Sequence, residues 1–481
     1  VNRPAGFREI DLDEYVAADA TALAALVADG EVSPVQLVEC ATELAGRAEG
    51  KINAYAGLRE ERALEEAARL EREAREGRLR SGLHGVPIAS KDNFYLAGEP
   101  TGKGSRTSSD TPAATSSPMV ERLVAAGLVV IGRTTTPEFG WKGTGISPRT
   151  GVTRNPWDPD KGTGGSSAGS AATVAAGAVP IATGTDAGGS VRIPASFCGV
   201  VGMKPTLGTI PVWPGTVNES LSHAGPVARS VRDARAVLEL TRGPDARDPQ
   251  SYFPPAGRAE AGAGPAPRPP RVAVVREPFG IAPEATVGAA FERAVEALRP
   301  TGVAELTDTG LPVDLPREVF EVLWVAGRGL GFQHLFDRHA AIMDPGLVRL
   351  GSLAAEYSVS DYQDALVARR DFNAAMFAFL EQWDLVLMPT MPITAFAAEA
   401  EVPAGGEADA PLPWITWTPY TYAFNITGQP AISIPCARGE GTLPVGLQIV
   451  GPWGRDDRVL AFAERCERVL RPFTHPPVAP Q

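Results

Sequence analysis

Apolar positions change period along the chain. Residues 17–50 carry Ala, Leu and Val at helical spacing, with Asp19 or Thr21 placed to cap one helix and Ser33-Pro34 to open the next. Residues 59–76 mix Ala and Leu with Glu and Arg, which predicts a helix with a solvated face that ends at Gly77. Short apolar runs follow at 86–90, 128–131, 179–182, 272–275, 304–306, 385–388, 432–434 and 445–450. Such runs, bounded by turn residues, predict buried strands. Helical patterns separate them at 120–126, 168–178, 285–298 and 456–470, and most of 318–380 reads as helix.

Strands mixed with helices over the whole length predict an α/β layered fold. The 272–306 stretch reads strand–helix–strand, a unit expected to join the same sheet. Residues 134–159 are rich in turn residues and lack periodicity, and so long an irregular segment is expected to pack near a site. Residues 254–270 are Pro, Gly and Ala-rich and read as an exposed connection. The tail after residue 470 is expected to be loose. The aromatics Trp324, Phe332, Phe336, Tyr357, Tyr362, Phe372, Phe377 and Phe379 are expected mostly in the core, with a minority at a pocket.

Residues 162–196 stand apart. They hold two Ser clusters beside Gly-Gly, at Ser166 and at Ser190, with an Ala-rich helix candidate between them. A Gly/Ser run is ordinarily a flexible linker. This one is broken by helix formers and by an apolar run, and leads directly into apolar S-F-C-G-V-V-G-M. A hydroxyl beside bare amides offers acyl transfer both a nucleophile and an oxyanion site. Ser190 follows Ala187, Gly188 and Gly189, whose amides, with its own, are able to converge on one oxygen.

The pattern G-G-S-S-A-G-S-A-A, then G-T-D-A-G-G-S-V-R-I-P-A-S-F-C-G-V-V-G-M-K-P-T, resembles the signature of the amidase signature family. A third element, G-V-P-I-A-S-K-D-N, places Lys91 after a strand. The likeness runs from about residue 17 to about residue 470 and closes with F-N-I-T-G-Q-P-A-I-S-I-P and G-L-Q-I-V-G. It implies one domain over 1–481, a mixed twisted sheet covered by helices on both faces. Within it lie N-terminal helices (1–80), the signature core (84–240), the 254–270 connection, and the rest of the sheet with substrate-pocket helices (271–470).

No histidine sits in these motifs, so the base for a serine nucleophile must be another group, and Lys91 is the titratable candidate. A lysine accepts a proton only when neutral, which requires burial or a nearby positive charge. The resemblance implies Lys91 as catalytic lysine, Ser190 as nucleophile, and Ser166 as the serine that bridges them, after a cis peptide bond from Gly165. It also implies oxyanion amides at Ala187, Gly188, Gly189 and Ser190. Asp186 and Arg192 flank the nucleophile and are expected to be a charge pair that fixes the loop.

Composition removes other classes. The formal charge of −12 and the lack of a clustered Lys/Arg patch argue against nucleic acid as a partner. The four cysteines are widely spaced, which argues against a disulfide framework or zinc ribbon and favours a reducing, cytoplasmic compartment. No run nears the roughly 18 apolar residues of a membrane span, and the first thirty residues show no signal-peptide pattern. No cofactor or metal is expected: neither G-x-x-x-x-G-K-[ST] nor a strand-bound G-x-G-x-x-G occurs, and His334 and His339 lack a zinc-ligand pattern. G-S-S-A-G at 165–169 also fits a nucleophile elbow centred on Ser167, but that elbow needs a buried strand before it, and 155–163 reads as no strand. His223, His334, His339 and His475 are expected in core or surface roles.

The expected partner is a small-molecule amide or carbamate, with the chain a monomer or homodimer. The resemblance leaves open amidases, urethanases and aryl acylamidases, with a glutamine amidotransferase subunit or a non-catalytic protein of the same fold as alternatives. Residues 414–424, W-I-T-W-T-P-Y-T-Y-A-F, contain no acid to hold a substrate amine. That favours a neutral, apolar or aromatic substrate, with Trp414, Trp417, Tyr420 and Phe424 as candidate pocket residues.

Overall fold

The structure, a computed structural model, describes residues 7–252, 268–438 and 443–470. Its centre is an eleven-stranded mixed sheet. In chain order the strands are β1 (Tyr55–Leu58), β2 (Pro87–Lys91), β3 (Val129–Thr134), β4 (Ile181–Asp186), β5 (Val201–Lys204), β6 (His223–Ala228), β7 (Arg271–Val274), β8 (Glu305–Asp308), β9 (Leu385–Pro389), β10 (Ala431–Arg438) and β11 (Pro444–Val450). Across the sheet they run β1-β3-β2-β4-β6-β5-β10-β11-β9-β7-β8. β2 is parallel to both β3 and β4, while β4, β6, β5, β10, β11 and β9 alternate in direction. β7 and β8 add a parallel edge to β9 through the helix Ala285–Leu298, as the strand–helix–strand pattern predicts.

Alternation along each strand sends neighbouring side chains to opposite faces. Ile88, Val130, Val272, Leu385 and Leu387 join one apolar cluster with the helices Pro118–Ala125, Val231–Thr241, Ala285–Leu298 and Asp456–Leu470. Ala89, Val129, Ile131 and Ala182 face a second cluster under Ala20–Ala28, Pro34–Ile52 and Ala168–Ala175. Ala273, Val386 and Met388 face a third, rich in aromatics, under Arg317–Gly331, Pro345–Ala354 and Val359–Gln382. Both faces are covered, which explains why these strands read as continuous apolar runs.

The helix starts follow their caps. The Asp19 side chain accepts from the Ala22 N–H, and Ser33 and Gln36 form a capping box ahead of Pro34. Gly77, at φ 70°, stops Glu60–Arg75. The 179–182 run becomes Ile181–Asp186, two residues later than expected, and the Ala-rich helix ends at Ala175. The helix Arg192–Cys198 and strands β1, β5 and β6 carry no clear apolar period and were not expected. Residues 158–162 do form a strand, paired with Arg154–Asn155, where none was expected. It is a half-exposed two-strand ladder outside the main sheet, not the buried strand that a nucleophile elbow requires. Most of the 254–270 connection, and the tail after residue 470, lie outside the described residues.

Buried Arg229 fastens the N-terminal helices to the sheet. Its Nη1 donates to the carbonyls of Tyr15, Val16 and Ala18 at 2.9, 3.2 and 2.7 Å, and Nη2 to Gly177. Arg229→Met leaves these four carbonyls without their donor and is expected to cost at least ~4 kcal/mol, at about 1 kcal/mol or more for each group left unpaired. Urea unfolding followed by circular dichroism measures it; a loss below about 1 kcal/mol would show that the helices dock without this arginine.

Candidate active site

β2 and β4 are parallel neighbours, so their carboxyl ends open at the same edge of the sheet. That edge is where α/β sheets accept ligands. β2 ends in Lys91, whose side chain is fully buried. Its Nζ is within hydrogen-bond distance of three hydroxyls: Ser166 Oγ at 2.8 Å, Thr185 Oγ1 at 2.9 Å and Ser167 Oγ at 3.0 Å. Burial pulls this amine well below a lysine's ordinary 10.5, the Asp186 carboxylate opposes that, and Arg328 adds to the lowering. Among the described residues Lys91 has no ion-pair partner.

Ser166 follows a cis peptide bond from Gly165. A Cβ at Gly165 would fall on the Thr144 carbonyl oxygen, so the irregular 134–159 segment packs against this turn. The Ser167 N–H donates to the Ser190 carbonyl at 3.0 Å, which ties the first serine cluster to the second. Ser166 and Ser190 line one cavity of about 420 Å³. Sequence reasoning therefore names three side chains that the fold gathers at one edge: Lys91 touches Ser166, and Ser166 shares its cavity with Ser190.

β4 ends in Asp186, and the loop to Ser190 turns at Gly189, φ 122°, where Thr421 Oγ1 occupies the place of a Cβ. Asp186 accepts from the backbone N–H groups of Gly189 at 2.7 Å and Val191 at 3.1 Å. Arg192 donates to the same carboxylate through Nε and Nη2, both at 3.0 Å. Burial raises the Asp186 pKa, but the charge and hydrogen bonds of Arg192 outweigh it and hold the group below the usual carboxylate range. The remaining Arg192 bonds reach Thr421 O, Gln448 Oε1 and Asn425 Oδ1 at 2.7–2.9 Å. The loop-fixing pair expected from sequence is thus part of a wider network. Of the four amides expected at an oxyanion site, that of Gly189 donates to Asp186 Oδ1 at 2.7 Å.

The candidate pocket residues lie apart from this cavity. Trp414, Trp417, Tyr420 and Phe424 are buried in the aromatic cluster and do not line the Ser190 cavity. Trp414 sits on Trp324 and against Gly188, Trp417 stacks on Phe197, and the Tyr420 hydroxyl donates to Ile281 O at 2.6 Å. The 3-10 turn Pro413–Trp417 directs these rings into the core behind the loop. The cavity walls are instead Phe139, Val212, Pro214, Val217, Phe332 and Leu335, with Asn93, Arg328, His223 and His334. Phe139 belongs to the irregular segment, and Phe332 is the one member of the 318–380 aromatic set on this cavity.

Thr185 and Asn93 were missed, although both lie inside the quoted motifs: Asn93 Nδ2 donates to Thr185 Oγ1 at 2.9 Å beside the Lys91 amine. Arg328 was missed because nothing local marks it; burial lowers its pKa to about 9. His223 lines the cavity, yet its Nδ1 faces the carbonyls of Leu221 and Asp186 at 2.9 and 3.1 Å. That places the hydrogen on Nδ1 and leaves Nε2 to accept from Lys204 Nζ at 3.2 Å. Burial first, then Lys204, holds His223 well below 6.5. Lys204 Nζ otherwise meets the carbonyls of Pro205 and Gln429, and no hydroxyl, which separates this lysine from Lys91. His334 sits at the cavity rim and His339 on the surface, and His475 lies outside the described residues. Among the described residues no cluster of three His, Cys, Asp or Glu is placed to hold a metal.

Asp186→Asn leaves Arg192 buried without its counter-charge, and a loss of ~3–5 kcal/mol in unfolding free energy is expected. The double variant Asp186→Asn/Arg192→Met should lose clearly less than the sum of the single changes. Additive losses in urea unfolding would mean that the two side chains do not act as a unit.

Comparison with known proteins adds the following. A family model described as Amidase matches residues 36–460. A glutamyl-tRNA(Gln) amidotransferase subunit from Thermus thermophilus is 37% identical over 473 residues, spanning 92% of this chain and 96% of that protein. Among solved structures, a 6-aminohexanoate cyclic dimer hydrolase complexed with substrate superposes with a TM-score of 0.87 at 28% identity, covering 98% of this chain and 100% of that one. A bacterial aryl acylamidase gives a TM-score of 0.83 at 26% identity, covering 94% and 96%.

Proposed function

The chain belongs to the amidase signature family and is a hydrolase of non-peptide C–N bonds; from that premise we propose that it is a free-standing amidase in which Ser190 is the nucleophile, Ser166 the relay and Lys91 the base. The observation that carries this is the buried Lys91 amine held among three hydroxyls with no carboxylate in contact. A neutral amine has two N–H groups and one lone pair, so three hydroxyl partners satisfy it when one of them donates. Ser167 directs its hydrogen to the Thr185 carbonyl at 3.3 Å, which leaves Ser166 free to donate to the amine. That is the state a base must hold before the reaction.

In the proposed cycle Ser190 Oγ attacks the carbonyl carbon, its proton passes to Ser166, and the Ser166 proton passes to Lys91. The oxyanion forms against the amides of Ala187, Gly188 and Ser190, each worth ~2.7–4 kcal/mol if it resembles other oxyanion donors. The ammonium of Lys91 returns its proton through Ser166 to the leaving nitrogen as the C–N bond breaks. Water then attacks the acyl-enzyme, gives its proton to the same relay, and restores Ser190. A carbamate offers Ser190 the same carbonyl, so urethane cleavage falls within this reading. The apolar walls fit a substrate with an apolar body.

A second reading, a glutamine-dependent amidotransferase component, is favoured by the 37% identity to the Thermus thermophilus protein. Against it, the one carboxylate on the cavity wall among the described residues, Asp186, is committed to Arg192, so no counter-charge is free there for the ammonium of glutamine. Turnover of a p-nitroanilide, an aryl carbamate, an aliphatic amide and glutamine, assayed side by side, separates these readings. Glutamine as the preferred substrate would support the second.

Ser190→Ala is expected to lower kcat at least ~10⁴-fold while the protein stays folded, and a sulfonyl fluoride should label Ser190 in the wild type. A variant that keeps a tenth of the activity would overturn the assignment. With Lys91 as base, kcat/KM rises with pH as the amine loses its proton, on a limb lying well below 10.5, and falls as acid restores the ammonium. A pH profile in which activity declines along that limb would contradict a lysine base.

A further inference from the structure

We propose that Arg328 is the receptor for a carboxylate on the substrate, so that the enzyme prefers amides whose apolar body carries an acid group. This rests on the reading of the Ser190 cavity as the place of amide cleavage. Buried Arg192 is paired with Asp186, buried Arg133 with Asp92, and buried Arg229 donates to four carbonyls. Arg328 is different. It stands on the helix Arg317–Gly331 at 6% exposure, and among the described residues it has no carboxylate partner.

Its contacts leave its fork unfilled. Nη1 donates to the Phe139 carbonyl at 3.1 Å, and the guanidinium carbon lies 4.1 Å from the centroid of the Trp324 ring. Nε is buried without an acceptor. A buried cation left in this state is costly, and a planar guanidinium is shaped to take a carboxylate through two N–H groups. Arg328 lines the cavity that holds Ser166 and Ser190, and the one carboxylate on that wall among the described residues is already bound to Arg192. The second cation there, Lys103, rests over the Tyr95 ring at 5.0 Å. The wall therefore offers positive charge with no internal counter-charge, beside apolar surface from Phe332, Val217 and Leu335. This revises the expectation of a neutral substrate, which rested on rings that do not reach the cavity.

Two matched pairs test it: glutaryl- against pentanoyl-p-nitroanilide for an acid on the acyl side, and 4-acetamidobenzoate against acetanilide for an acid on the amine side. In the wild type, the acid member of at least one pair should show a kcat/KM about tenfold or more above its neutral partner, mostly through KM. Arg328→Met should collapse that ratio to about one, and Arg328→Lys should keep part of it. Calorimetric titration with glutarate and with 4-aminobenzoate, the acid-bearing products, reads the same site without turnover. Binding of either by the wild type and by Ser190→Ala, lost in Arg328→Met, supports the proposal even if no anilide is cleaved, a result that would count against the amidase reading alone. Should Arg328→Met fail to fold, Arg328→Gln and the wild-type ratios decide. Neutral members turned over as well as acid members in both pairs, ratios unchanged by the substitution, or no product binding at all would overturn it.

Discussion

An ammonium buried without a counter-ion costs several kcal/mol, and a lysine in that position sheds its proton instead. Lys91 is in that position: it is fully buried, three hydroxyls surround its nitrogen, and of the charges that act on it Asp186 favours the ammonium while Arg328 opposes it. The proposed relay depends on holding that amine neutral. The sheet does so by ending β2 beside β4, so that Lys91 and Thr185 come to one edge with the Ser166–Ser167 turn closing over them. The proposed relay uses no imidazole: His223, on the cavity wall, is fixed by carbonyls and a second lysine.

The same edge is braced from the far half of the chain. Asp186 and Arg192 hold the Ser190 loop, and Arg192 reaches Thr421, Asn425 and Gln448, on the segment before β10 and on β11. Asn425 returns to Asp186 with both its oxygen and its nitrogen engaged in the network. Residues more than two hundred positions apart thereby set the geometry of a four-residue loop. The Gly189 amide is consumed in this bracing, so this glycine of the Gly-Gly pair serves the loop's shape.

Much of this was legible along the chain. Strands buried on both faces announce themselves as continuous apolar runs, and the helices 285–298 and 456–470 matched their patterns to the residue. The motifs around Lys91, Ser166 and Ser190 were local, so the sequence exposed them directly. The pocket was not local. Trp414 and Trp417 attracted attention by ring size, yet ring size speaks first for burial, and both lie in the core behind the loop. Arg328 lies in an ordinary helical stretch. Its distinction, among the described residues, is the lack of a carboxylate partner, and only the folded chain reveals which groups stand opposite one another.

The claim under all of this is the protonation state of one amine. Selective isotope labelling of lysine, with Lys91 assigned by Lys91→Arg, allows its side-chain nitrogen to be titrated by NMR in the resting protein. The account predicts that Lys91 titrates well below 10.5 and is neutral where the enzyme is active. A Lys91 resonance that stays that of an ammonium up to the ordinary lysine range would contradict it.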